Sequence, residues 1–344
     1  MKSGAGVSFW GLAAAILTVV CLCLPAAAAV RDVQTVSFQQ GWNAVFLRVD
    51  PGGLSADALF SGTPVDTVAA YFPELTSVQF LADPAEAPWK EPGWGVWYAP
   101  HREQSFLTTL HAVFGGRAYL VHATEAFTWR VEGTLKHREL RWRANGFTLT
   151  GLPVSRDAAP TFGEFFAGVP AFSDGRFYHL TDGRWKKIEH PDTTAIVPDR
   201  AYWIYCRGAS VWQGPVEVDL GGRETVIFDG AATTRVLRFR NRGPGASVVH
   251  IECLPAGDAA AAASGVLTWT ERDPETLQTA YHAFGSGKAI GPLPPGGIAE
   301  LHLHLRRERL PSAGGLSFIL RGTADAGSEI AIPVSIANPE SRTP

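Results

Sequence analysis

Between residues 30 and 337 the apolar positions come in short runs bounded by Gly, Pro, Asn and Asp, rather than at the 3.6-residue spacing of an amphipathic helix. That pattern predicts β-structure. Tyr178-His179-Leu180 and Arg184-Trp185-Lys186-Lys187-Ile188 flank Thr181-Asp182-Gly183, and an Asp-Gly pair supplies the positive φ that a tight hairpin turn requires. Two short helices are predicted, over 55–60 and 161–166. Each opens on a hydroxyl residue able to cap its first turn, Ser55 or Thr161, and stops before Gly62 or Gly168.

The front half reads as a duplication. Gly41-Trp42-Asn43-Ala44-Val45-Phe46-Leu47-Arg48-Val49 aligns with Gly146-Phe147-Thr148-Leu149-Thr150-Gly151-Leu152-Pro153-Val154, and Phe60-Ser61-Gly62-Thr63-Pro64 with Phe166-Ala167-Gly168-Val169-Pro170. Arg117-Ala118-Tyr119-Leu120-Val121 then matches Arg200-Ala201-Tyr202-Trp203-Ile204, and Trp129 matches Trp212, both at an offset of 83. The second copy is shorter, chiefly opposite the Pro- and Trp-rich stretch 83–100. Two copies are too few for a solenoid or propeller, so they predict a pair of related β-rich units with pseudo-twofold symmetry.

Beyond Gln213-Gly214-Pro215 the character changes, and strand-like runs follow at 225–228, 235–240, 247–254, 265–270, 299–306, 316–321 and 329–336. Seven short strands in this length suit an immunoglobulin-like sandwich. The resulting fold class is mainly β: two related β-rich repeat units followed by an immunoglobulin-like β-sandwich. The expected division is a signal peptide over 1–29, repeat units over 30–135 and 136–219, the sandwich over 220–337, and a flexible tail over 338–344.

The turn Leu293-Pro294-Pro295-Gly296-Gly297, the strand Ala299-Glu300-Leu301-His302-Leu303-His304-Leu305, the turn Leu310-Pro311-Ser312-Ala313-Gly314-Gly315 and the ending Ile332-Pro333-Val334-Ser335-Ile336 resemble bacterial Ig-like modules of exported proteins. Leu237-Arg238-Phe239-Arg240-Asn241 fits their early strand. The resemblance covers the last third of the chain and implies a structural or presenting module, with no catalytic residue to carry over. The duplicated half, with its Gly-Trp-Asn opening and Ala-Tyr-Trp closing blocks, is similar to repeats in exported bacterial proteins of no assigned function.

Location follows from the N-terminus. Met1-Lys2, the apolar stretch 7–24 and the small-residue site Ala26-Ala27-Ala28-Ala29 have the three regions of a cleaved secretory signal. The expected mature chain starts near Val30, secreted or periplasmic, with no membrane attachment after cleavage. Removing 1–29 takes Lys2 and leaves 29 basic against 33 acidic side chains, a balance with no field for nucleic acid. Cys206 and Cys253 remain in a chain bound for an oxidising compartment, and two readings stand for them: one disulfide, or two buried thiols, with Cys253 alternating with Val249 and Ile251 toward a core.

Candidate chemistry is sparse. There is no His-Glu-x-x-His, Gly-x-Ser-x-Gly or EF-hand loop, and Gly285-Ser286-Gly287-Lys288 lacks the spacing and hydroxyl of a phosphate loop. His302 and His304 share one face of a strand and would make half a metal site, which His250 and Glu252 could complete on an adjacent strand; the polar outer face of a sandwich explains them as well, and no metal or other cofactor is assigned. Glu164, Asp174 and Asp182 are the nearest acidic group, with the two aspartates read as turn residues.

Trp89, Trp94, Trp97 and Tyr98 lie in a loop-like stretch without a counterpart in the second copy and are the expected ligand-binding residues, able to stack on sugar rings or a partner. The alternative is a loop plugging its own apolar cluster. The expectation is a non-catalytic binding or structural protein of the cell exterior, with an envelope glycan or a surface protein as partner. A hydrolase acting on envelope polysaccharide and a metal-binding protein are the rivals.

Overall fold

The computed structural model describes residues 29–73, 83–85, 93–256, 265–311 and 315–337. Except for Ala29, the expected signal peptide falls outside these residues, as do Trp89, most of the Ala-rich stretch 256–264 and the tail 338–344. Among the described residues the chain is mainly β, with twenty strands and two short α-helices.

The first unit runs β1 (Arg31–Phe38), β2 (Gly41–Leu47), α1 (Ala56–Phe60), β3 (Val65–Tyr71), β4 (Trp94–Tyr98), β5 (Arg117–Ala123) and β6 (Phe127–Thr134). β1 and β6 pair as an antiparallel ribbon, and the other four form a sheet in the order β2-β5-β3-β4. Strand side chains alternate between faces. Val45, Leu47, Val68, Trp97, Tyr119 and Val121 therefore point one way, where the ribbon's Phe38, Trp129 and Val131 and the helix's Phe60 cover them. Gln34 fastens ribbon to sheet from inside: its side-chain amide donates to the Phe46 carbonyl at 2.8 Å while its oxygen accepts the Arg48 N–H at 2.7 Å. A fully buried amide is tolerable here because both of its ends are bonded.

The second unit has β7 (Gly146–Thr150), α2 (Phe162–Phe165), β8 (Phe177–Thr181), β9 (Arg184–Lys187) and β10 (Tyr202–Cys206), in the order β7-β10-β8-β9. Taken in chain order within each unit, this is the strand order of the first sheet. Local devices recur as well. Ser55 Oγ accepts the Ala58 N–H and Thr161 Oγ1 accepts the Glu164 N–H, each capping its helix. The first helical N–H of each unit, Ala56 or Phe162, donates to the carbonyl of His111 or Thr194 at 2.9 and 3.1 Å. Tyr119 Oη holds the backbone of Phe114, and Tyr202 Oη holds that of Val197. The β8–β9 hairpin turns on Asp182 and Gly183, both at positive φ, 53° and 71°.

The two sheets meet through their second faces. Ala69, Val96 and Leu120 of one and Phe147, Tyr178, Trp185 and Trp203 of the other form one apolar layer, edged by Trp42, Tyr71, Trp94 and Tyr98. Trp203 is its centre, with the rings of Tyr71, Trp94 and Trp185 within 6.3 Å. Along β2 the backbones also join, with Phe46 N–H donating to the Asp199 carbonyl at 2.8 Å. Gly151 permits that approach, since a Cβ there would lie 2.4 Å from the Phe46 side chain.

The rest is an immunoglobulin-like sandwich of β11 (Val216–Asp219), β12 (Val226–Phe228), β13 (Thr234–Asn241), β14 (Ser247–Pro255), β15 (Leu267–Arg272), β16 (Thr279–Ala283), β17 (Lys288–Leu293), β18 (Ile298–Leu305), β19 (Leu316–Ala324) and β20 (Glu329–Ile336). Its sheets are ordered β11-β13-β18-β15-β16 and β12-β20-β19-β14-β17. Between them lie Leu237, Phe239, Val249, Ile251, Leu301, Leu303, Phe318 and Ile332 among others. Asn241 is buried among them with its polar groups paired, donating to the carbonyls of Gly245 and Leu293 while accepting from Gly243 N–H. The sandwich begins at Val216 rather than at 220, because β11 ladders onto β13. Strands β11, β16 and β17 have no counterpart among the seven runs read from sequence.

The three units touch. Ser155 N–H donates to the Gly327 carbonyl and Glu329 N–H to that of Pro153, both at 2.9 Å, and Val30 and Leu135 pack on Ile319 of the sandwich. No helix among the described residues is long and apolar enough to cross a membrane.

Candidate functional site

The expected aromatic row does not form a platform. The stretch 94–98 is strand β4, so side chains three apart leave by opposite faces. Trp97 is 2% exposed in the first unit's core, its ring 5.3 Å from Phe60 and its indole N–H donating to Asp57 Oδ1 at 2.7 Å. Trp94 and Tyr98 turn the other way and are half-buried at the edge of the inter-sheet layer, Trp94 5.4 Å from Tyr71. Trp89 lies outside the described residues. Reading these positions as one exposed stacking surface is therefore corrected for Trp97, which the core already uses.

The histidines are also separated. His302 and His304 lie on β18, whereas His250 and Glu252 lie on β14 in the opposite sheet. His302 Nε2 is 3.3 Å from Glu300, His304 packs edge-on to Tyr281, and burial pushes the His304 imidazole below its ordinary value. Glu252 bonds Arg321 at 2.6 Å. Among the described residues no group of three or more His, Cys, Asp or Glu gathers as a metal site. The acidic trio is engaged locally: Glu164 closes the cap of α2, Asp174 holds Arg207 at 2.6 Å, and Asp182 holds Lys186 at 3.1 Å. Cys206 and Cys253 are free thiols in separate cores, and burial pushes the Cys253 thiol up to about 12.

The surface opens at the sandwich's first edge. β11 pairs with β13 only from Val216 opposite Asn241 to Asp219 opposite Arg238. The chain then turns through Gly221 and Gly222, both in left-handed backbone, and resumes as β12 in the other sheet, parallel to β20. Glycine suits such a crossing because it meets no Cβ penalty at positive φ. β13 runs on to Thr234 with β18 along one side and, among the described residues, no strand along the other.

The outward backbone groups of that stretch can be named. Asn241 N–H donates to Gly297 and Thr233 C=O accepts from Leu305, so odd-numbered groups face β18; Arg242 N–H donates to the Pro215 carbonyl, so even-numbered groups face β11. The register is continuous from 234 to 240, which leaves the N–H and C=O of Val236 aimed at the open side. The Thr234 carbonyl shares that side and takes a bond from Arg235 Nη1 at 3.0 Å.

A cleft of about 390 Å³ lies against this edge. Leu220, Val226 and Leu237 give it an apolar floor, Arg223, Arg235 and Arg238 enter its wall, and Asp219 is the one carboxylate lining it. Arg235 is held by the Ile227 carbonyl at 2.8 Å and Asp229 at 3.1 Å, and Arg238 by Glu300 at 2.8 Å. Arg223 has no hydrogen-bond or ion-pair partner among the described residues. Val236, on the rim, is 44% exposed. No sequence motif marks this site; Gly221-Gly222 signals a break, and the break is what opens the cleft.

No family model and no curated protein matches the chain. Among solved structures it is similar to the ASH/PapD-like domain of human CEP192, at 12% identity over 37% of this chain and 86% of that one, with a TM-score of 0.22. It is similar to the Pseudomonas aeruginosa CupB2 chaperone at 16% identity and a TM-score of 0.22, over 35% of this chain and 54% of the chaperone, so the match spans about half the chaperone's length. The CupB6 tip adhesin from the same organism aligns over 90% of this chain and 99% of its own at 11% identity and a TM-score of 0.19. Likenesses this loose carry no argument about function.

Proposed function

We propose that this chain is an exported, non-catalytic binding component of the cell exterior, and that its partner is a protein joining the sandwich at the open edge of β13. The observation that carries the reading is the outward N–H and C=O of Val236 beside an apolar-floored cleft. An unpaired strand edge is completed by an added strand, whose main-chain bonds give affinity while the adjoining pockets choose side chains. The signal-like N-terminus supports an exterior setting.

The test uses residues 30–344 as bait in envelope extract, as wild type and as Val236→Pro. Proline removes the outward N–H without touching the β13–β18 ladder, and prolines are accommodated where a strand's N–H faces solvent. A protein retained by wild type and lost from Val236→Pro supports the reading. A protein or glycan retained equally by both baits overturns it.

A further inference from the structure

We propose that the segment received in this cleft is extended, runs antiparallel to β13 and alternates apolar with acidic side chains; this deepens the edge reading above and rests on it. The molecule carries its own precedent. β11, the strand that occupies the other half of the same edge, reads Val216-Glu217-Val218-Asp219. Its valines turn into the core, Glu217 accepts from Arg242 Nε at 2.7 Å, and Asp219 sits opposite Arg238. Thus β13 already pairs along half its length with alternating apolar and acidic residues, because its own outward positions there are arginines, Arg238 and Arg240.

The open half alternates with the two faces exchanged: Thr234 and Val236 turn outward, and Arg235 shares the inward side with Leu237. Leu237 faces inward beside Val226 and Leu220, which suits an apolar residue opposite it. On the wall, Arg235 and Arg238 are committed to Asp229 and Glu300, while Arg223 stands without a carboxylate. A Glu or Asp entering the cleft meets the uncommitted guanidinium of Arg223. A lysine at the same position meets the unpaired Arg223, the charges of Arg235 and Arg238 being offset by Asp229 and Glu300, so like-charge contact at Arg223 selects against it. Both existing neighbours of β13 are antiparallel to it, and an incoming strand in that sense extends the ladder of β11 without changing its bond pattern.

The experiment uses defined probes on residues 30–344. A fluorescein-labelled peptide of alternating Val and Glu and one of alternating Val and Lys are titrated into wild type, Val236→Pro and Arg223→Gln at low salt. The expected result is binding of the Val/Glu peptide about tenfold tighter than the Val/Lys peptide, a difference that shrinks with added salt. Arg223→Gln narrows the preference and Val236→Pro abolishes binding of both peptides. In wild type, hydrogen exchange at the Val236 amide slows on adding the Val/Glu peptide, a readout independent of any variant's folding. Equal binding of the two peptides, lost in Val236→Pro, overturns the acidic preference and leaves the edge reading standing. No binding, or binding with unchanged exchange at Val236, overturns both.

Discussion

Trp97 donates its indole N–H to the Asp57 carboxylate across 2.7 Å, and this bond ties β4 to the helix α1 across the first unit's core. The ring also stacks obliquely on Phe60, which itself packs 5.3 Å from Trp129 of the ribbon. One side chain therefore touches sheet and helix and lies one ring from the ribbon. Trp97→Ala removes a fully buried aromatic and should lower stability by about 3–5 kcal/mol, while Asp57→Ala, which loses a single bond at the rim, should cost about 1 kcal/mol. Urea unfolding of both variants checks this, and a near-neutral Trp97→Ala would contradict the burial.

Tyr119 and Tyr202 each grip the backbone five residues earlier, with the hydroxyl accepting from the N–H and facing the carbonyl of the same residue. Removing either hydroxyl strands both backbone groups. Tyr119→Phe and Tyr202→Phe should each destabilise by roughly 1–2 kcal/mol and add in the double variant, since the two clips lie in different cores. A strongly non-additive double variant in thermal or urea unfolding would show that the two units share one cooperative core.

Asp66 is almost fully buried between His122 Nδ1 at 2.7 Å and Arg102 Nη1 at 2.6 Å. Burial pushes its carboxyl up, but the hydrogen bonds from His122 and Arg102 together bring it below the ordinary 3.8. A carboxyl whose folded-state value lies below its unfolded value adds stability that is present above the unfolded value and lost as pH falls through the folded one. Asp199 and Glu329, pushed up by burial, have the opposite sign, so their contribution falls as pH rises through their folded values. Comparing urea midpoints of wild type and Asp66→Asn from neutral pH down past 3.8 isolates the first effect: the gap between them should narrow on acidification. A gap that is constant with pH would assign Asp66 a purely steric role.

The two thiols should behave as core residues. Burial raises both, Cys253 to about 12, so neither offers thiolate at neutral pH in the folded protein. Iodoacetamide should label neither under native conditions and both in denaturant, and the mass of the untreated protein should show no intramolecular bridge. Rapid native labelling of Cys206 would place it at the surface instead.

How much of this was legible depended on whether a strand's pattern is set by its own residues or by its neighbours. The run 329–336 puts Ile330, Ile332, Val334 and Ile336 at every second position, all of them in the sandwich core, so its limits could be read directly, and Asp182-Gly183 specified a turn whose φ values need no tertiary help. The caps on α1 and α2 were legible for the same reason. β4 was hidden because Trp94, Val96, Trp97 and Tyr98 are apolar on both faces, one serving the unit's own core and the other the inter-sheet layer, so the alternation that identifies a half-buried strand is missing. β16 fails in the opposite way, being exposed along nearly all its length. The cleft was beyond reach of any local signal. It exists because the chain changes sheets after Asp219, and which sheet a strand rejoins is decided by partners far away in sequence.

That change of sheets also sets an order of events. Val226 finds its ladder partner in Val334 and Phe228 in Ile336, so the second strand after the second unit waits on residues roughly a hundred positions later. The front units close on contacts within their own spans, whereas the sandwich keeps β12 idle until the last strand exists. Loss of β20 by truncation would thus leave β12 unladdered with every residue of its own intact, and the sandwich would fail at its beginning because of a cut near its end.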